Sequence, residues 1–230
     1  MNIIAFIFAR GGSKGLKNKN LLKFRNRSLL GHSILQAKSS RLIKKVFVST
    51  DSLKIKKEAI KYKALVPFLR PKNLASDKSP EINSWKHAVN YLNNKLNIFP
   101  DYIVSVPTTS PLRNISDINK CIGEAINKKL DLVTAITKSQ KNPYFNMLEM
   151  KKKKFKIIKK NKNFYRRQDA PKCFDMTTAC YVFNPEYIKK TCNIFSGKIG
   201  YIEIPRERAI DIDDSFDYRI ATLLSKKLRK

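Results

Sequence analysis

The sequence predicts an α/β fold, a mainly parallel sheet covered by helices on both faces, with an inserted antiparallel piece. Three observations predict it. Short runs rich in β-branched and aromatic residues alternate with helix-length amphipathic segments over residues 3–136. Those segments are long enough to serve as the crossovers that parallel neighbours need. After Thr137 the rhythm breaks into short apolar pieces divided by lysines, and then the alternation resumes.

The first run, Ile3 to Phe8, has the length and composition of a buried strand. It breaks at Ala9-Arg10-Gly11-Gly12-Ser13-Lys14-Gly15, followed by Lys17, Lys19 and Asn20. Ser28 to Ala37 has helical spacing, Val46–Ser49 reads as a second strand, and Asp51-Ser52 is placed to cap a helix over Leu53–Tyr62. Ala64–Phe68 is a third apolar run, and Asp77 to Pro80 is turn-like. Glu81 to Leu96 is periodic through Trp85, Ala88, Val89 and Leu92. Asp101–Val106 is the next strand, stopped by the stiff loop Pro107-Thr108-Thr109-Ser110-Pro111-Leu112-Arg113. A helix from Ser116-Asp117 to Lys128 and a strand over Leu132–Ile136 complete this part. Tyr144–Met150 and Phe155–Ile158 read as antiparallel strands, with the lysine run 151–154 as a solvated hairpin or edge. Ala179–Phe183, a helix from Pro185, a strand over Tyr201–Ile204 and a helix over Ser215–Leu228 follow. One domain spanning residues 1–230 is expected, with residues 138–178 as an inserted arm suited to dimerisation.

Hydrophobic residues make up 42% of the 230, enough for a core and far from the disordered class. No run reaches membrane-spanning length and no signal-peptide pattern opens the chain, so a cytoplasmic location is expected. With 48 Lys+Arg against 18 Asp+Glu the formal charge is +30. Such a field attracts nucleic acid, but the lysines are scattered and no clustered basic helix or stacking platform is present. The four cysteines form no CxxC pair, and His32 and His87 lack a nucleophile or paired acid nearby in sequence. Zinc and triad chemistry are accordingly disfavoured.

In a doubly wound sheet, ligands bind beyond the carboxyl ends of the strands, and every motif-like loop here follows a predicted strand. Successive N–H groups in a glycine-rich turn, with Arg10, Ser13, Lys14 and Lys19, suit a polyphosphate. Asp211 and Asp213 lie two apart, so on an extended segment they face the same way. Two such carboxylates suit Mg²⁺, which draws its remaining ligands from phosphate and water. The plainer reading, that Asp213-Asp214-Ser215 caps the last helix, leaves Asp211 without a task. Neither the P-loop pattern nor GxGxxG is present, which disfavours ATPase and dehydrogenase chemistry. A basic, glycine-rich polyphosphate loop combined with a distal acidic metal site points to nucleotidyl or phosphoryl transfer.

The motif Ala9–Gly15 with Lys19-Asn20 resembles the signature of the acylneuraminate cytidylyltransferases, the CMP-sialic acid synthetases. Val48-Ser49-Thr50-Asp51, Arg70-Pro71 with Leu74-Ala75-Ser76-Asp77, Thr109–Arg113 and Ile210–Asp213 extend the resemblance in the same order over nearly the whole chain. It implies a three-layer Rossmann-like nucleotidyltransferase fold, a dimer, and transfer of CMP from CTP to a nonulosonic acid with release of pyrophosphate. It further implies that Ala9, Arg10, Gly11, Gly12, Ser13, Lys19, Asn20, Arg70 and Asp77 surround the nucleotide. Arg10, Lys19, Asp211 and Asp213 would carry catalysis, the two aspartates holding Mg²⁺. Thr109, Ser110, Arg113, Thr177 and Thr178 would lie on the sugar side.

Two departures fall on that sugar side. Pro107 stands where many sialic acid enzymes have glutamine, and Asp175-Met176-Thr177-Thr178-Ala179 replaces Arg-Pro-Asn-Gly-Ala. The charge reversal at Asp175 disfavours an unchanged pose for an anionic sugar. The acceptor therefore stays open among sialic, legionaminic, pseudaminic and other ulosonic acids. A CMP-Kdo synthetase is the second enzymatic reading, and a basic nucleic-acid-binding protein the reading from another class.

Overall fold

The computed structural model describes residues 1–13, 15–159 and 166–227, without the side chains of Arg167 and Lys227. Lys14 of the glycine loop, residues 160–165 of the expected arm and the predicted helix end at Leu228 fall outside the described residues. Six strands form the main sheet in the order β10-β6-β9-β5-β1-β4: Ile199–Glu203, Leu132–Lys138, Phe174–Phe183, Tyr102–Ser105, Ile3–Phe8 and Lys45–Ser49. β1 runs parallel to β4 and β5, and β10 parallel to β6. β9 is antiparallel to both its neighbours. Two hairpins stand apart: β2 (Lys23–Phe24) with β3 (Arg27–Ser28), and β7 (Leu148–Lys151) with β8 (Lys154–Ile157). Lys152 and Lys153 turn the second hairpin at φ 50° and 61°, so the lysine run is a solvated turn as expected.

The helices are α1 (Leu29–Ser39), α2 (Leu53–Lys61), α3 (Glu81–Leu96), α4 (Ile115–Lys128), α5 (Pro185–Lys190) and α6 (Ser215–Lys227). Alternation along β1 splits the core in two. Ile3, Ala5 and Ile7 pack against Leu30 and Ile34 of α1 and belong to one cluster with Ile118 and Ile122 of α4. Ile4 and Phe6 belong to the cluster of Trp85, Val89 and Leu92 of α3 and Ile188 of α5. This is a sheet between two helical layers, the three-layer arrangement anticipated. A third cluster, Phe24, Leu29, Leu112, Ile212 and Ala221, binds α6 to the loops at the carboxyl edge.

The local stop signals act largely as read. Ser28 caps α1 by accepting from the Gly31 N–H, and Ser52 caps α2 from the Ile55 N–H. Asp51 is not the cap; its carboxylate serves the glycine loop. The Ala64–Phe68 run forms no ladder but touches β4 through an isolated bridge between Leu65 and Phe47, and just beyond both Leu69 bridges to Thr50. The largest difference is β9. It begins at Phe174, inside the expected arm, and lies antiparallel in the middle of the sheet. Its register against β6 breaks between Thr134, opposite Tyr181, and Ala135, opposite Thr177. Thr178, Ala179 and Cys180 therefore have no opposite residue on β6, as in a bulge.

Candidate functional site

β1 is flanked by β4 on one side and β5 on the other, each reached by a crossover in the opposite direction, and a cleft of about 460 Å³ opens beside its end. Arg10, Ser13, Lys19 and Asn20 of the first loop meet Asp211 and Asp213 of the last there, with Thr109 and Thr178 on the far wall. A second cavity of about 280 Å³ adjoins it, sharing Phe8, Arg10 and Glu81 and adding Arg70 and Asp77.

The last loop is fastened to the first loop, to the Pro107–Arg113 loop and to α4. Lys19 Nζ donates to the Ile212 carbonyl at 2.8 Å and to Asp213 Oδ1 at 3.0 Å. The Ile212 N–H donates to the Thr109 carbonyl at 2.8 Å, tying in the Pro107–Arg113 loop. Arg208 forks onto the buried Asp117 of α4 with two bonds of 2.9 Å, in the bidentate geometry that arginine favours. Gly15 lies so close to Asp213 that a Cβ there would stand 2.3 Å from its carbonyl oxygen. This close approach is what glycine supplies. No described glycine has positive φ, and the left-handed residue of the loop is Asn18 at φ 56°.

The phosphate-binding candidates are not vacant in this arrangement. Arg10 pairs with Asp77, and the Gly11 N–H donates to Asp51 Oδ1 at 2.8 Å. Gly11 thus reinforces the loop rather than offering its N–H to the cleft. Gly12 faces open space. Ala9 is buried, its N–H bonded to the Ser49 carbonyl. Asn20 is a buried bracket: its amide donates to the Arg10 carbonyl at 2.8 Å while its oxygen accepts from Thr108 at 2.5 Å. Arg70 is buried and bonded to both the hydroxyl and the carbonyl of Ser49 and to Ser84, and burial holds its pKa below the usual value.

The last loop resolves the competition between capping and ligation. Asp214 caps α6, accepting from the Phe216 and Asp217 N–H groups at 2.8 and 3.0 Å, and those bonds lower its pKa. Asp211 and Asp213 are left to the cleft. Asp211 Oδ1 is removed from solvent and has no hydrogen-bond partner, whereas the Asp213 carboxylate is exposed beside Lys19. An unpartnered buried carboxylate oxygen is costly unless a cation meets it. Among the described residues no group of three or more acidic, histidine or cysteine side chains gathers as a metal site. A cation here would take two protein carboxylates and the remainder from phosphate and water, as Mg²⁺ does.

The sugar-side candidates divide. Thr109, Ser110 and Thr178 share hydroxyl hydrogen bonds of 3.0 and 2.7 Å, made possible by the break in β9. Thr177 instead donates to the Ala135 carbonyl inside the sheet. Arg113 is only 2% exposed and lies behind the loop, donating to the Pro107 carbonyl and, at 3.5 Å, to Ser33. Burial pushes its pKa down to about 10. These two are not brought to the cleft.

Phe8, Glu81 and Tyr181 line the cleft without having been singled out. Each sits inside a segment whose periodicity already accounted for it, so no local signal marked them. Burial pushes the Tyr181 phenol up to about 12, with Glu81 and Asp211 adding to the rise. Glu81 is surrounded by protein, which raises its pKa, yet its side chain is exposed to the cavity.

Residues 4–213 match the family model described as cytidylyltransferase. The chain is 35% identical to the post-translational flagellin modification protein B of Campylobacter coli, over 98% of this chain and 95% of that protein. It is 34% identical to a CMP-N,N'-diacetyllegionaminic acid synthase of Campylobacter jejuni, over 96% and 94%. Among solved structures, CMP:2-keto-3-deoxy-manno-octonic acid synthetase complexed with CTP matches with a TM-score of 0.74, covering 99% of this chain and 100% of that one. At 12% identity that likeness shows the fold.

Proposed function

The chain belongs to the cytidylyltransferase family, and from that premise we propose that it transfers CMP from CTP to the anomeric hydroxyl of a nonulosonic acid, releasing pyrophosphate. The observation that carries the reading is the junction of the two loops. Lys19 bridges to Ile212 and Asp213 on the rim of a cleft that also holds Arg10, Ser13 and Asp211.

In the reaction the sugar oxygen forms a bond to the α-phosphorus of CTP while the bond from that phosphorus to the β-phosphate bridge breaks. Arg10 and Lys19 hold the triphosphate, Arg10 exchanging Asp77 for phosphate oxygens. Lys19, a compact charge fixed from the last loop, meets charge developing on the leaving pyrophosphate. Asn20 and the buried Arg70 keep the floor of the nucleotide site rigid. Thr109, Ser110 and Thr178 offer hydroxyls to the sugar. Asp211 and Asp213 would hold Mg²⁺, which when bound neutralises phosphate charge. Positioning and charge compensation supply the acceleration.

The same reading makes the protein a cytoplasmic homodimer. No described helix is long and apolar enough to cross a membrane. Leu148, Met150, Phe155 and Met176 are each more than half exposed on β7, β8 and the start of β9, apolar surface that a second copy would cover. The relative acting on a legionaminic acid supports that sugar as the first acceptor to try.

The test is pyrophosphate release with CTP, Mg²⁺ and a panel of N-acetylneuraminate, N,N'-diacetyllegionaminate, pseudaminate and Kdo. Turnover is expected with one of the first three. Preference for Kdo moves the reading to the second enzyme class, and no turnover with no CTP binding removes it.

A further inference from the structure

Glu81 stands at the junction of the two cavities, lining both. It is the first residue of α3, preceded by Pro80, and Trp85 Nε1 donates to its Oε1 at 3.3 Å. Trp85 is itself 1% exposed and stacked on Phe183 with ring centres 4.6 Å apart, so this anchor is rigid. The other carboxylate oxygen of Glu81 has no protein partner among the described residues and is exposed to the cavity.

Apart from Asp211, the acids around it have partners. Asp77 is paired with Arg10, Asp213 with Lys19, and Asp51 with the Gly11 N–H. Glu81 has no Lys or Arg within ion-pair distance among the described residues; its electrostatic neighbours are Arg70, with which it shares the smaller cavity, and Asp211 and Tyr181, with which it shares the larger. A carboxylate outside the proposed metal pair, in a cleft for two anionic substrates, is not explained by the triphosphate. It repels triphosphate and sugar carboxylate alike. It accepts hydrogen bonds from neutral donors, and a polyhydroxylated, acylamino-bearing sugar has many.

On the reading given under Proposed function, we propose that Glu81 is a specificity-determining residue that orients the acceptor sugar. Its free oxygen accepts from a hydroxyl or acylamido N–H of the sugar, while its charge turns the sugar carboxylate away. Both effects select one pose, and with it the direction in which the anomeric hydroxyl faces the α-phosphorus. The hydroxyls of Thr109, Ser110 and Thr178 complete the wall.

The experiment compares wild type with Glu81→Gln and Glu81→Ala on whichever panel acceptor the wild type uses. Acceptor is varied at saturating CTP and then CTP at saturating acceptor, and CTP affinity is measured separately by calorimetry without sugar. The acceptor KM is expected to rise at least about tenfold in Glu81→Gln and further in Glu81→Ala, with the KM and affinity for CTP held within about twofold. Calorimetry reports whether each variant keeps its site, and the isosteric glutamine variant decides should the alanine variant fail to fold. An acceptor KM within twofold of wild type in Glu81→Gln overturns the inference, as does a parallel loss of CTP affinity. A wild type that binds CTP but uses no acceptor is a different failure, which overturns the acceptor class and this inference together.

Discussion

Replacing Gly15 by alanine tests the junction that makes the cleft. The added Cβ would stand 2.3 Å from the Asp213 carbonyl oxygen, and the obstacle is backbone that no rotamer change relieves. An ordinary carbon–oxygen contact is roughly 3.3 Å, so the loops must part by about 1 Å. Lys19 spans the same gap with bonds of 2.8 and 3.0 Å, and that opening carries both beyond hydrogen-bond range. The backbone at Gly15 lies outside the positive-φ region, so the penalty is contact and not conformational preference. Stability should fall by about 1–3 kcal/mol, as for other overpacked sites. Turnover should fall by about 10²-fold, the cost of misplacing reacting groups by about 1 Å. Pyrophosphate release gives the rate, calorimetry the CTP affinity, and thermal unfolding the stability. Gly12→Ala is the control, since its Cβ would meet no protein atom within 4 Å. A Gly15→Ala protein with wild-type rate and CTP affinity would refute the claim that this contact sets the site.

Further expectations follow from individual side chains. Asp211→Asn should abolish turnover with the fold intact, and chelation with EDTA should do the same to wild type; Mg²⁺-stimulated CTP binding that survives the substitution would remove Asp211 as a metal ligand. Arg113→Met should lower stability by about 1–3 kcal/mol by removing the charged hydrogen bond to the Pro107 carbonyl, which then keeps only the Ser33 hydroxyl at 3.1 Å, with CTP affinity unchanged. A rise in acceptor KM without loss of stability would instead return Arg113 to the sugar side. His32 and His87 both have pKa values lowered by burial from an ordinary value of 6.5. The unfolded chain therefore takes up protons first as pH falls, and stability should decline below about pH 6.5. Denaturant midpoints between pH 7.5 and 5.5 measure this, and His32→Gln should flatten the slope. Phe155→Glu with Met150→Glu should yield a monomer in sedimentation if β7 and β8 pair two copies, and an unchanged oligomer would place the interface elsewhere.

Much of the site was legible locally because its chemistry is carried by residue types at fixed spacing. The strand over Ile3–Phe8, the glycine loop after it and the Asp211–Asp213 pair declare themselves by composition and period. The helix over Glu81–Leu96 lies where its periodicity put it. Strand direction is not a local property. Ala179–Phe183 reads as an apolar run whichever way it pairs, and only the sheet shows β9 antiparallel between β5 and β6. The register break that turns Thr178 to the hydroxyls of Thr109 and Ser110 likewise arises between strands far apart in sequence.

The sequence by itself determined the fold class, the candidate polyphosphate loop and, through its family resemblance, the reaction class, since binding a polyphosphate requires particular charges beside a tight turn. The tertiary structure alone decided which of those charges reach the cleft. It buried Arg113 behind the Pro107–Arg113 loop, gave the helix cap to Asp214 so that Asp211 and Asp213 face the cleft, the latter paired with Lys19, and used Asp51 to hold Gly11. It also brought Glu81, otherwise only the start of a helix, to the cleft without a cationic partner. The physical reason is that type and spacing are properties of a segment, whereas burial, pairing and side-chain direction are set by the elements that pack against it.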